Sequence, residues 1–272
     1  MSKPLFALAS LTSAVVLSLA APHTDAAATF AGVPVVPNGI TRASVPLSAQ
    51  ERQYVSEGGN VVPDHAVAAL AVPNGFDPAR SWMVVIALST SDFQRKNSDD
   101  LRDFYSQAAL AENCVVLAGD GAGNPPHDTA GWRAGMTLAA LDALHRSFPG
   151  STRWPLVVAG FSGGAKRAGN LAPLLAVAGN QIAGIFLTGI NEDRLSEGYR
   201  KFQPGASFLR TPVYISSGQL DPIAGPAATA NVQRSIQQTG FSNVRLAHMP
   251  HAHAVSRSAV REALRWFREQ AH

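Results

Sequence analysis

One serine, one aspartate and one histidine occur in this chain in an order that can build a nucleophile. The serine is Ser162, in Gly160-Phe161-Ser162-Gly163-Gly164. A serine hydroxyl is a weak nucleophile unaided: it needs a base to take its proton, and the base needs a carboxylate to orient it. Leu156 to Gly160 is apolar like a buried strand, and the stretch from Ala165 to Ala176 is helical in pattern. A strand, sharp turn and helix in that order hold a serine in a strained backbone conformation with Oγ projecting. Flanking glycines let the neighbouring backbone pass without a Cβ clash. The N–H of Gly163, at the helix start, can then face a developing oxyanion. The alternative is a Gly-rich turn that is only structural.

The acid is Asp221, in Gly218-Gln219-Leu220-Asp221-Pro222, just after the strand pattern Val213 to Ser217. A plain turn or helix-capping aspartate is the other reading. Glu192 and Asp193 are fallback acids, or else the start of a surface helix. The base lies in His248-Met249-Pro250-His251-Ala252-His253. His248 falls within a strand pattern, whereas His251 and His253 follow it. His253, immediately before the closing helix, is the preferred base, and His251 is the second choice. Three histidines this close also raise metal-dependent hydrolysis, but no further ligand stands at a recognisable spacing. No metal is expected.

These residues must be carried by a scaffold, and the pattern supplies one. The continuous apolar run Trp82 to Leu88 suits a strand buried on both faces. Strand patterns at Ala66–Pro73, Cys114–Ala118, Ile182–Thr188 and Val244–Met249 alternate with helical ones at Asp99–Glu112, Ala130–Phe148, Pro226–Gln238 and Ala254–Gln270. Strands alternating with helices imply βαβ units: an α/β fold with a mostly parallel central sheet and helices on both faces. Residues 29–62 read as an extended arm feeding edge strands, punctuated by Pro34, Pro37, Gly39 and Pro46.

Composition agrees with a packed chain. Of 272 residues, 46% are hydrophobic and 15% charged, which suits one sizeable core and not disorder. The net charge of +3 comes without a basic stripe, so nucleic acid is not an expected partner. Lys3 followed by the apolar run Pro4 to Ala20, with small residues at Ala20-Ala21 and Ala26-Ala27-Ala28, reads as a cleavable secretory signal over residues 1–28. One domain over 29–272 follows, in a secreted or periplasmic protein without stable membrane insertion. Cys114 stands alone inside a strand pattern, so it forms no internal disulfide and acts as a small hydrophobe.

Taken together, Val72-Pro-Asn-Gly-Phe-Asp-Pro78, Cys114-Val-Val-Leu-Ala-Gly-Asp-Gly121, Gly160-Phe-Ser-Gly-Gly164, Gly218-x-x-Asp221 and His253 resemble the α/β-hydrolase superfamily. Their order is similar to that of the secreted polyhydroxybutyrate depolymerase, feruloyl esterase and dienelactone hydrolase-like branch. The resemblance implies acyl transfer to water through an acyl-enzyme, with Ser162, Asp221 and His253 as the triad. It implies an ester substrate, small or polymeric, with amide cleavage also open. Such enzymes usually carry a His-Gly pair where the strand before the first helix ends. Here the residues are Leu88-Ser89-Thr90-Ser91-Asp92. Thr90, through its N–H or hydroxyl, is the expected second oxyanion donor, with Ser91 as the other option. The substituted pair also opens a different class of function, a catalytically weak or inactive fold used for binding.

Four residues are expected to border the substrate: Ser91, His127, Trp132 and Phe161. Trp132 reads equally as core, from its helical spacing, and Phe161 as packing below the nucleophile. Lys166 and Arg167 lie in the first turn of the helix after Ser162, where the helix dipole disfavours cations. They meet either an anionic substrate or solvent.

Overall fold

The structure is a computed structural model that describes residues 28–90 and 95–270. The expected signal segment and Ser91 therefore lie outside the described residues, apart from Ala28. A short antiparallel pair, β1 (Thr29–Phe30) and β2 (Val33–Pro34), leads into β3 (Ile40–Pro46). Helix α1 (Ala49–Val55) follows. Next come β4 (His65–Ala71) and β5 (Val84–Leu88). A helical stretch then runs through α2 (Asn97–Asp100), a π-turn (Leu101–Tyr105) and α3 (Ser106–Ala111). Strand β6 (Val115–Gly121), α4 (Ala130–Ser147), β7 (Leu156–Phe161) and α5 (Gly163–Val177) carry the chain to its centre. It continues through β8 (Ile182–Thr188), α6 (Leu195–Phe202), β9 (Val213–Gly218), α7 (Pro226–Gln238), β10 (Val244–Met249) and α8 (Arg257–Gln270).

The main sheet has eight strands in the order β10-β9-β8-β7-β5-β6-β4-β3. From β6 through β10 and β5 the neighbours are parallel, while β3 and β4 add an antiparallel edge. This is the mostly parallel sheet expected from the sequence, and the period-2 geometry of strands explains the continuous apolar runs. In β5, Val84, Ile86 and Leu88 enter one core with residues of α1, α4, α5 and α7. Val85 and Ala87 enter the other, with α3 and α8. A strand covered on both faces cannot alternate with polar residues, because every side chain is buried. Each fully buried Leu, Ile or Val contributes ~1.5–3 kcal/mol.

Two features differ from the sequence reading. Residues 49–55 form a helix inside the stretch read as an extended arm. Its signal is a capping box: Ser48 Oγ accepts from Glu51 N–H, and the Glu51 carboxylate accepts from Ser48 N–H. The closing helix starts at Arg257, three residues later than expected, which leaves His251 and His253 on a loop. That helix is tied to the end of α3 by Glu112, whose carboxylate takes Arg261 Nε at 2.8 Å and Arg265 Nη2 at 2.8 Å.

Candidate active site

The site forms where the parallel strands end, and backbone geometry at Ser162 comes first. Ser162 sits between β7 and α5 with φ 55° and ψ −118°, a positive φ that a residue with a Cβ rarely adopts. Its own N–H is anchored to Thr188 O of β8 at 2.9 Å. The flanking glycines are required by contact. A Cβ on Gly160 would lie 2.1 Å from Gly164 O, and one on Gly164 would lie 2.1 Å from Leu88 O. The helix thus starts in backbone contact with both its own strand and the end of β5. Gly163, the first residue of α5, lies at the N-terminal end of the helix, where free N–H groups favour negative charge.

Asp221 and His253 meet beside this turn. Asp221 lies on the loop after β9, its side chain only 1% exposed. Its Oδ1 accepts the N–H groups of Ile223 and Ala224, each at 2.8 Å. Its Oδ2 accepts His253 Nδ1 at 2.8 Å. Burial pushes the Asp221 carboxyl upward, but the Ala224 N–H, the His253 ring and the Ile223 N–H outweigh it and hold the group below its ordinary value. An ionised Asp221 fixes the His253 proton on Nδ1 and leaves Nε2 as the ring nitrogen able to take a proton. The ring packs on Phe161 with centroids 4.6 Å apart, and Phe161 meets the edge of Phe104 at 5.7 Å. Phe161 thus backs the imidazole. Among the described residues Ser162 Oγ makes no hydrogen bond, and such contacts are often long in unliganded sites and tighten on binding.

The three histidines are separated by their partners. His248 Nδ1 lies 3.0 Å from Ser217 Oγ at the sheet edge. His251 Nδ1 lies 2.6 Å from the neighbouring Ala252 O. Among the described residues, His253 alone of the three meets a carboxylate. Among the described residues no group of three or more His, Cys, Asp or Glu side chains is arranged to hold a metal ion. The fallback acids sit in other pairs: Glu192 with Lys166 at 2.9 Å and Arg194 at 2.7 Å, and Asp193 capping α6 through Ser196 N–H at 2.9 Å.

Beyond β5 the chain enters a dense polar network. Ser89 N–H donates to Asn97 Oδ1 at 2.9 Å, and Asn97 Nδ2 donates to Gly119 O at 2.8 Å. Arg167 Nη1 donates to Ser89 O at 3.0 Å and to Thr90 O at 2.8 Å. Asp128, paired with Arg167 at 3.0 Å, also receives Arg133 on both oxygens, at 2.8 and 2.9 Å. Arg133 reaches back to Ser89 Oγ at 3.0 Å and Arg95 O at 2.9 Å.

This bears on two points that the sequence left open. Arg167 is 10% exposed on its side chain and spends its donors on backbone and on Asp128, while Lys166 pairs with Glu192. Trp132 is 5% exposed and packed over the end of β6 at Gly121, which makes it core, not pocket wall. His127 has an exposed side chain on the loop after β6, with its backbone held by Asn60 through bonds of 2.9 and 2.8 Å. The Arg133–Asp128–Arg167 network escaped the sequence reading because Arg167 lies 39 residues from Asp128 and more than 70 from the Ser89 and Thr90 carbonyls it holds. Only the unfavourable cation at a helix start hinted at it. A cleft of about 470 Å³ runs down α5 from Gly163 and Leu88, with Arg133 and Arg167 at its lining, but its walls include neither Ser162 nor His253.

No family model matches the sequence, and no curated protein matches it. Solved structures do resemble the fold. A Xanthomonas campestris α/β serine hydrolase described as having no lid shares 16% identity, with a TM-score of 0.58 over 86% of this chain and 97% of that one. A Pyrococcus furiosus esterase shares 15%, at 0.53 over 86% and 98%. A bacterial heroin esterase shares 17%, at 0.56 over 86% and 84%. At these identities the likeness establishes the α/β-hydrolase fold.

Proposed function

We propose that the protein is a serine hydrolase that cleaves ester bonds through an acyl-enzyme. The observation that carries this reading is the Asp221–His253 hydrogen bond beside a serine held at positive φ on a strand-to-helix turn. Ser162 Oγ attacks the ester carbonyl carbon while His253 Nε2 takes its proton. The oxyanion is met by Gly163 N–H and by Thr90. Collapse breaks the C–O bond to the alcohol, which leaves with the proton from His253. Water, deprotonated by His253, then attacks the acyl carbon; the bond to Ser162 Oγ breaks, the carboxylic acid leaves, and His253 returns the proton to Oγ. Asp221 stays ionised throughout and stabilises the imidazolium. No cofactor takes part.

The motifs quoted above support a place in the secreted depolymerase, feruloyl esterase and dienelactone hydrolase-like branch. The Lys3 and Pro4–Ala20 pattern supports export to the periplasm or medium.

The test is turnover of a p-nitrophenyl acyl series, with fluorophosphonate labelling of the wild type, Ser162→Ala and His253→Ala. The reading expects labelling of the wild type at Ser162 and near-complete loss of turnover in both variants. A folded wild type that neither turns over nor becomes labelled points instead to a binding protein on a hydrolase fold.

A further inference from the structure

The end of β5 carries Ser89 and Thr90 where a more flexible glycine-bearing turn is usual in this fold. Residues with side chains are confined to fewer backbone orientations than glycine, and here Arg167 selects among them by holding two successive carbonyls. It sits five residues after Ser162 on α5, so the nucleophile and its grip on Thr90 share one rigid helix. Its Nη1 donates to two successive carbonyls, Ser89 O at 3.0 Å and Thr90 O at 2.8 Å. Its Nη2 donates to Asp128 O at 3.3 Å and pairs with the Asp128 carboxylate at 3.0 Å. The guanidinium is thus fixed by a carboxylate that Arg133 in turn holds by two hydrogen bonds. A planar fork of this kind orients what it binds; a lysine ammonium, a single rotating point charge, does not.

The consequence follows from the trans peptide. Its C=O and N–H point in opposite directions. Turning the Ser89 carbonyl toward Arg167 therefore turns the Thr90 N–H away from it. The Ser89 N–H is already bonded to Asn97 Oδ1, so Thr90 supplies the donor that the clamp leaves oriented. Gly164, close enough to Leu88 O that a Cβ would meet it at 2.1 Å, keeps this strand end against the nucleophile turn. Two arginines share one carboxylate here, so the surplus positive charge is met by the carbonyls of Ser89, Thr90 and Arg95. That charge distribution makes the carbonyl contacts strong, because each is charge-assisted and partly buried.

We propose that Arg167 is a positioning residue for the oxyanion hole, setting the Thr90 peptide through Ser89 O and Thr90 O. The inference rests on the serine-hydrolase reading. Its perturbation is Arg167→Lys, which keeps the charge and loses the fork. The readouts are kcat per fluorophosphonate-titrated site, KM for p-nitrophenyl acetate, and inhibition by phenylboronic acid, whose serine adduct places an oxygen in the oxyanion hole. Loss of a whole oxyanion donor costs ~10²–10³ in kcat, so a misaimed one is expected to lower kcat by about 10- to 100-fold. KM stays near the wild-type value, and boronate affinity falls in step with kcat.

A merely structural role would reduce the number of titratable sites and leave kcat per site intact. A folded Arg167→Lys with wild-type kcat per site and boronate affinity overturns the proposal. Should that variant not fold, Thr90→Gly frees the same peptide from the other side. The same joint fall in kcat and boronate affinity is expected there, and wild-type values for both overturn the proposal equally. If wild-type Ser162 is not labelled at all, the serine-hydrolase reading fails and takes this inference with it. Labelling and turnover with an unaffected Arg167→Lys removes this inference alone.

Discussion

Asp221→Asn changes one atom and is expected to abolish most activity, for a reason visible in its hydrogen bonds. Oδ1 of Asp221 accepts two backbone N–H groups, from Ile223 and Ala224, at 2.8 Å each. An asparagine must place its carbonyl oxygen there, because its NH2 would confront two donors. The NH2 then occupies the place of Oδ2 and points at His253 Nδ1, now 2.8 Å from a carboxylate oxygen. A donor facing Nδ1 makes that nitrogen an acceptor and drives the ring proton to Nε2, the nitrogen that must receive the Ser162 proton. The base is blocked by its tautomer while its position is kept. Wrong-tautomer variants of Ser-His-Asp triads lose ~10⁴ in kcat. That is about 5.4 kcal/mol of transition-state stabilisation at 1.36 kcal/mol per decade. The assay is kcat for p-nitrophenyl acetate at pH 7–8 alongside thermal unfolding. Imidazole nitrogen chemical shifts of His253 report the tautomer directly. A folded Asp221→Asn keeping more than about one hundredth of wild-type kcat, or retaining the Nδ1–H tautomer, refutes the argument.

Three further outcomes are expected. Gly160→Ala and Gly164→Ala each drive a Cβ to 2.1 Å from backbone oxygen, so each is expected to destabilise by about 3 kcal/mol, the upper end for overpacking, in urea unfolding. Gly123→Ala, with nothing within 4 Å of its Cβ, is the neutral control. Glu112 is held below its ordinary value chiefly by its hydrogen bond to Arg265, against burial and with help from Arg261. A depressed folded pKa adds stability above the unfolded value of ~4.3, lost as pH falls through the lower folded value. Glu112→Gln should therefore narrow the difference in Tm between pH 7 and pH 3, and an unchanged difference rejects the linkage. Burial pushes the Cys114 thiol up to about 11, so Ellman's reagent at pH 8 should not react with the native chain, only with the unfolded one.

The division between sequence and tertiary structure follows the range of the interactions. The turn at Ser162 is legible because it is local: an apolar strand, three glycines and a helix follow one another between residues 156 and 177, and each imposes its own geometry. The parallel sheet is legible for a similar reason, since Val84 to Leu88 can be apolar throughout only if covered on both faces. Helix α1 was also within reach, through the Ser48–Glu51 capping box, but the prolines around it masked the signal.

Other features depend on contacts across the chain. His248, His251 and His253 are the same residue type within six positions. What separates them is the loop that brings only His253 to Asp221, 32 residues away. Spacing left Trp132 undecided between core and pocket until α4 was laid over β6. Arg167 looked like an ill-placed surface cation; its partners Ser89 and Thr90 are 78 and 77 residues earlier. Local sequence fixes backbone shape because neighbouring residues constrain one another sterically. Which side chains share a hydrogen bond is set by strand order and helix packing, which the pattern of any single segment does not encode.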